Sequence, residues 1–318
     1  MLPLGHGIHA IDTGFHRDVF DAAYLMVHQG RALFIDTGTN PSVPRLLRAL
    51  DALGLPRDAV DWVIPTHVHL DHAGGAGLLM SELPVARLLV HPRGARHMAD
   101  PSALVAGATA VYGAEEMARS YGQIRPIDAA RIDTSHDGQV LDWQGRRLLL
   151  LDTPGHARHH HCIWDETSRG WFTGDTFGLS YREFDSPHGP WLVPTTTPVQ
   201  FEPEPLKRSI ARMLEREPEQ LFLTHFSRVG PDAALVKRLG AEFIEQVDEL
   251  VAFCRQLPRG LETAARHSAL REGLTGLMLA RVRANGCTMD EATARGLLEL
   301  DIELNAQGLA VWLDREAA

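Results

Sequence analysis

The stretch Thr66-His67-Val68-His69-Leu70-Asp71-His72-Ala73-Gly74-Gly75 places three imidazoles and a carboxylate within six residues. Such donors bind borderline divalent ions. The stretch follows the apolar run VDWVIP, which reads as a short strand, so residues two apart point the same way. His67 and His69 can therefore grip one ion, and the turn at Asp71 and His72 can redirect that pair to a second. The small residues Ala73, Gly74 and Gly75 let the backbone turn tightly into a following helix. Three more donors close later apolar β runs: His156 in DTPGHA, Asp175 in FTGD and His225 in LTHF, at successive intervals of 84, 19 and 50 residues from His72. Delivered to one edge of a sheet, they would converge on the same place. Five histidines and two aspartates suit two divalent ions, with Asp175 able to bridge them. A water shared by two ions loses a proton near neutrality, so a bridging hydroxide becomes available as nucleophile, with Asp71 orienting it. No GxSxG elbow or Cys and His pair competes as a covalent centre. The chemistry such residues would support is metal-assisted hydrolysis.

The elements that must position these residues follow from apolar periodicity. GIHAID, AYLMVHQG and RALFIDTG predict antiparallel strands and hairpins between Ile8 and Asp36. PSVPRLLRALDALGL then has helical spacing, VDWVIPTH is a strand, AGGAGLLMSELP a helix and ARLLVHP a buried strand. Residues 94–125 read as a helical or irregular excursion. Strands return in RRLLLLDTPG, HHCIWDE, GWFTGD and LFLTHF. From Asp175 to Leu206 the chain carries Pro187, Pro190, Pro194, Pro198, Pro203 and Pro205, too many for regular structure, and reads as a long loop, functional or disordered. Beyond Pro231 three amphipathic helices follow, separated by PRG and GCT. They serve as core, as a cover for the site's mouth, or as the contact of a homodimer.

The 318-residue chain is 44% hydrophobic and 23% charged, a globular balance with room for a large core. Its net charge of -10 speaks against a nucleic-acid partner. Cys162, Cys254 and Cys287 show no CxxC spacing, which fits a reducing cytoplasm, and no apolar run is long enough for a signal or a membrane span. The expected partner is a small-molecule substrate. Among the remaining histidines, His159, His160 and His161 form a run given supporting roles, His160 foremost. His6, His9, His16, His28, His91, His97, His136 and His267 read as surface or internally satisfied. Tyr181, Arg182 and His188, in the proline-rich loop just past Asp175, are candidate substrate contacts.

THVHLDH, then PGH, then GD, then a late TH resemble the motifs of the metallo-β-lactamase fold superfamily over roughly residues 8 to 230. The resemblance implies an α/β protein, a four-layer αβ/βα sandwich with C-terminal helices. It implies a catalytic domain over 1–235 and a helical extension over 236–318. By the same resemblance His67, His69 and His156 bind one metal, Asp71, His72 and His225 the other, and Asp175 bridges. Asp36, in FIDTG, matches an aspartate that supports the site without binding metal. The phrase TPGHARHH and the layout are most similar to glyoxalase II-like hydrolases. They imply two ions per chain, zinc first with iron or manganese as alternatives, and a small ester-like substrate, thioester first, ahead of lactone, ester or phosphodiester. Two other readings share the motifs: a mononuclear iron persulfide dioxygenase, which uses two His and an Asp, and a metal-binding signalling protein of low activity. Flavodiiron-type reductases usually have Glu where this chain has His69.

Overall fold

The computed structural model describes residues 1–196, 199–258 and 260–316, so Pro198 of the proline-rich segment lies outside the described residues. Thirteen strands form two sheets among them. The first sheet contains β1 (Leu2–Gly5), β2 (Ile8–Asp12), β3 (Ala22–His28), β4 (Arg31–Ile35), β5 (Val60–Ile64), β6 (Arg87–Val90) and β7 (Ile132–Thr134), in that order. β1 to β4 pair antiparallel, as the hairpin signals predict for β2 to β4, and β4 to β7 pair parallel. The second sheet contains β8 (Gln139–Trp143), β9 (Arg146–Asp152), β10 (His161–Asp165), β11 (Gly170–Gly174), β12 (Gln220–Leu223) and β13 (Ser227–Val229). Only β11 and β12 run parallel in it.

Helices connect or follow these strands: α1 (Val43–Ala52), α2 (Leu70–Ala73), α3 (Ala76–Glu82), α4 (Pro92–Ala99), α5 (Ser102–Tyr112), α6 (Ala114–Glu116), α7 (Pro203–Leu214), α8 (Ala233–Gln256), α9 (Thr263–Ala284) and α10 (Glu291–Glu316). No helix among the described residues is long and apolar enough to cross a membrane. Backbone contacts divide the chain into two compact units. The first comprises Met1–Asp152, His159–Gly174 and Pro218–Pro231, and so holds both sheets. The second comprises the described residues of Thr153–Arg158, Asp175–Glu217 and Asp232–Ala318.

Within the first unit the two-residue period of the strands sorts side chains between two cores. Tyr24 and Met26 of β3 and Leu33 and Ile35 of β4 join Leu148, Leu150, Ile163, Phe172 and Phe222 of the second sheet. Their neighbours Ala23, Leu25, Ala32 and Phe34 face the other way, onto Leu46 and Leu50 of α1 and Leu79 and Met80 of α3. Each fully buried Leu or Phe of this kind stabilises the fold by about 1.5–3 kcal/mol. The two sheets are also tied at one end, where Tyr24 donates to the Leu223 carbonyl at 2.5 Å and the Ala22 amide to that of Thr224 at 2.8 Å.

In the second unit the segment after Asp175 is largely irregular, as its prolines predict, but the reading of it as a loop up to Leu206 is corrected. Pro203 and Pro205 lie in the first turn of α7, where a missing N–H costs no helical hydrogen bond. The segment is held by side chains of the C-terminal helices: Asn305 of α10 accepts from the Thr196 amide at 2.6 Å and donates to the Pro194 carbonyl at 3.1 Å. Gln246 of α8 accepts from Trp191 at 3.1 Å and donates to the Leu192 carbonyl at 2.9 Å.

Candidate metal centre

β4 and β5 run parallel with Ile35 opposite Ile64, so the residues just past both strands emerge side by side. Asp36 follows β4, and Thr66 and His67 follow β5 after Pro65. Asp36 is fully buried and has a φ of 55°, a left-handed conformation that Asp tolerates better than most residues. Its carboxylate accepts from the Thr66 amide at 2.7 Å, the Thr66 hydroxyl at 3.0 Å, the Thr224 hydroxyl at 2.7 Å and His72 Nδ1 at 2.9 Å. Both Thr-His pairs of the sequence, Thr66-His67 and Thr224-His225, are thus anchored on one carboxylate.

His69 immediately precedes the short helix α2, which carries Asp71 and His72. Thr37 fixes this helix by donating its amide at 2.7 Å and its hydroxyl at 2.9 Å to the His72 carbonyl. Gly75 must be glycine here, because a Cβ would come within 2.8 Å of the Thr39 carbonyl oxygen. The first unit therefore gathers five of the seven residues singled out by spacing. His67 Nε2 and His69 Nδ1 approach to 2.8 Å, while His67 Nδ1 is 3.2 Å from the Thr66 hydroxyl. Asp71 Oδ2 lies 3.6 Å from His72 Nε2 and 3.4 Å from His225 Nε2.

The donor set can be tested for its fit to a metal. His72 donates its Nδ1 proton to Asp36, and His225 its own to the Phe20 carbonyl at 3.1 Å; this network assigns both rings the tautomer whose Nε2 carries a lone pair. Donors about 2.1 Å from a tetrahedral ion stand about 3.4 Å apart, close to both separations measured from Asp71. Two imidazole nitrogens 2.8 Å apart, as in His67 and His69, also fit convergence on a shared cation or proton. The residues fit.

In the second unit His156 and Asp175 come together, both buried, with His156 Nε2 at 3.5 Å from Asp175 Oδ2. His156 Nδ1 lies 2.7 Å from the Thr195 hydroxyl, which itself donates to the Asp175 carbonyl at 3.3 Å. Here too the ring is left with Nε2 as acceptor. The three residues proposed to touch substrate are dispersed in character. Tyr181 is 1% exposed and donates to Asp301 of α10 at 3.0 Å, which keeps its polar end inside the helical unit. Arg182 donates to the Ser180 carbonyl at 2.8 Å, and His188 is exposed.

Several supporting residues escape a reading by spacing. Thr66, Thr224 and Thr195 fix rings or loops, and only the repeated Thr-His dipeptide hints at the first two. Asp21 is fully buried, takes a hydrogen bond from Thr13 at 2.8 Å, and is pushed up to about 7, chiefly by burial, against the pull of His225 and His72. The histidine run also divides its work. The His160 ring stacks 4.7 Å from His67. His159 Nδ1 accepts from the Val68 amide at 3.4 Å and burial lowers its pKa to about 2. His161 donates its amide to the Thr66 carbonyl and Nε2 to the Pro65 carbonyl, both at 2.9 Å, and accepts from the Ser135 hydroxyl at 2.8 Å.

The chain is similar to the metallo-beta-lactamase fold-containing protein ST1585 of Sulfurisphaera tokodaii, at 27% identity over 71% of this chain and 80% of that one. The solved structure of ST1585 superposes with a TM-score of 0.64, covering 96% of this chain and 99% of that one at 22% identity, a likeness of fold. It is also similar to the acyl-coenzyme A thioesterase MBLAC2 of Gallus gallus, at 29% identity over 54% of this chain and 64% of that one. A hydroxyacylglutathione hydrolase of Aeromonas hydrophila matches at 26% identity over 48% of this chain and 45% of its own length. The family profile of the metallo-beta-lactamase superfamily matches residues 17–225, from before β3 to the histidine after β12. With two sheets, connecting helices and C-terminal helices, the chain belongs to the metallo-beta-lactamase superfamily.

Proposed function

We propose that this chain is a hydrolase of small thioesters that works with two divalent ions, zinc first. His67, His69 and His156 would hold one ion, Asp71, His72 and His225 the other, with Asp175 between them. The observation that carries this reading is the protonation pattern: His72, His225 and His156 each commit Nδ1 to a protein oxygen and keep Nε2 as a ligand atom. When bound, the ions supply Lewis acidity at the substrate carbonyl and acidify the attacking water.

The chain's own residues do the rest. Asp71, with a partly exposed carboxylate, accepts a hydrogen bond from the attacking water and aims it. His72 and Asp36 are fully buried, so the polar network behind the water is fixed before substrate arrives. A thioester suits this arrangement because a thiolate, whose conjugate acid has a pKa of about 8.5, leaves without a general acid. The likeness to an acyl-coenzyme A thioesterase and a hydroxyacylglutathione hydrolase supports the same substrate class.

The test is turnover of zinc-loaded protein on matched acyl thioesters, lactones, aryl esters and phosphodiesters, with Asp71→Asn alongside. Thioesters should be cleaved fastest, and the variant should lose about 100-fold in kcat. Preference for another class would replace the substrate assignment. Persulfide-dependent oxygen consumption by protein with a single iron, and no hydrolysis, would sink the hydrolase reading.

A further inference from the structure

The first unit holds a cavity of about 300 Å³ walled by Thr13, His16, Thr39, Ser42, Arg119 and Ser120. One ring, Phe20, stands between its His16 wall and His225. The His16 ring meets Phe20 edge-on at 5.5 Å, Phe20 meets His225 at 5.3 Å, and both Asp71 and His225 act electrostatically on His16. His16, read from sequence as a surface or satisfied histidine, therefore faces a space beside the candidate centre.

The chemistry of the walls is specific. Four hydroxyls share the wall with Phe15 and Pro41: Thr13 donates to Asp21, Thr39 and Ser42 share a hydrogen bond at 3.3 Å, and Ser120 bonds Glu116. Two guanidinium groups stand close by. Arg119 lines the cavity and pairs with Glu116 three residues earlier on an exposed stretch, a weak pairing that a ligand can replace. Arg45 stands directly behind Gly14, where a Cβ would collide with its guanidinium, and donates to the Asp12 carbonyl at 3.4 Å. Among the described residues it has no carboxylate within ion-pair distance. The nearby acids are engaged, Asp12 by the Gly14 and Val19 amides and Asp21 by Thr13. An alkyl chain here would strip water from hydroxyls without replacing their hydrogen bonds. A carboxylate would accept the one hydroxyl proton that Thr39 and Ser42 do not share between them, and the planar donors of Arg119.

We propose that this cavity binds a carboxylate on the acyl part of the substrate, so that the enzyme prefers half-thioesters of short dicarboxylic acids to alkyl thioesters of equal length. The inference rests on the thioester reading of the candidate centre, and its test separates the two. Zinc-loaded protein would be given N-acetylcysteamine thioesters in matched pairs: succinyl and butyryl, glutaryl and valeryl, adipyl and hexanoyl. In at least one pair kcat/KM should favour the carboxylate at least tenfold, mainly through KM, and Arg119→Met should cut that ratio at least fivefold without lowering the melting temperature. Calorimetry gives a readout free of turnover: the matching free diacid should bind at least tenfold tighter than the monoacid, and lose that advantage in Arg119→Met. Equal hydrolysis of every pair together with equal binding of diacid and monoacid would overturn the proposal, as would a preference that survives both Arg119→Met and Arg45→Met. If no thioester is hydrolysed, the hydrolase reading falls, and the binding comparison still decides the cavity.

Discussion

At Asp36 one buried carboxylate takes hydrogen bonds from Thr66, Thr224 and His72, so a side chain that touches no metal sets the geometry of those that would. Asp36→Asn keeps the shape and tolerates the left-handed backbone, yet it sets an amide N–H against groups that are already donors. His72 then loses its preferred tautomer. Zinc affinity should fall by about 10–100-fold, measured by competition with a chromophoric chelator; an affinity equal to wild type would remove Asp36 from this role. Gly174 offers a steric counterpart. It has a φ of 47°, and a Cβ there would come within 2.5 Å of the Thr66 hydroxyl and 2.6 Å of His160 Nε2. Gly174→Ala should cost about 1–3 kcal/mol of stability in urea unfolding, and an unchanged midpoint would show that Thr66 can yield. The histidine string was legible in sequence because imidazole spacing on a strand and turn carries the information locally. Asp36 itself was named by resemblance, but its partners Thr66 and Thr224 were not legible, since they are 30 and 188 residues away and only the parallel pairing of β4 with β5 and the tie between the sheets bring them in.

Among the elements, β10 shows how a strand positions a loop it does not contain. Its first residue, His161, grips the carbonyls of Pro65 and Thr66, so the turn that presents His67 is held from the neighbouring sheet. Burial lowers the His161 pKa to about 4. The folded state therefore binds fewer protons than the unfolded one between about pH 4 and 6.5, and the stability tied to the neutral ring is complete above 6.5 and lost as pH falls towards 4. His161→Gln keeps a donor for Pro65 and removes the titration. Wild type should lose up to about 3 kcal/mol more than this variant between pH 7 and pH 4.5 in denaturant unfolding; parallel losses would place the acid sensitivity elsewhere. Strands as apolar as β9 and β10 announced themselves, whereas β7, β8 and β13, with the sequences IDT, QVLDW and SRV, are too short or too polar to read. The helix α7 was hidden for a different reason: its opening prolines are a breaker signal in a strand or helix interior and a start signal at a helix N-terminus.

For the molecule as a whole, the proposed ions would be part of the fold's stability, because the unfolded chain cannot gather donors spread from His67 to His225. An ion at about a thousand times its dissociation constant adds roughly 4 kcal/mol, so exhaustive chelation should lower the melting temperature by several degrees and added zinc should restore it. The size of that shift also asks whether the seven residues serve one centre. The donors of the first unit include Asp71, and the second unit contributes His156 and Asp175. If the proposed ligand set is shared, Asp71→Asn and Asp175→Asn should each shrink the zinc-dependent shift, and bound zinc should fall below two ions per chain in both. A shift that survives Asp175→Asn in full, with two ions still bound, would leave the other six donors sufficient and remove the bridging role of Asp175.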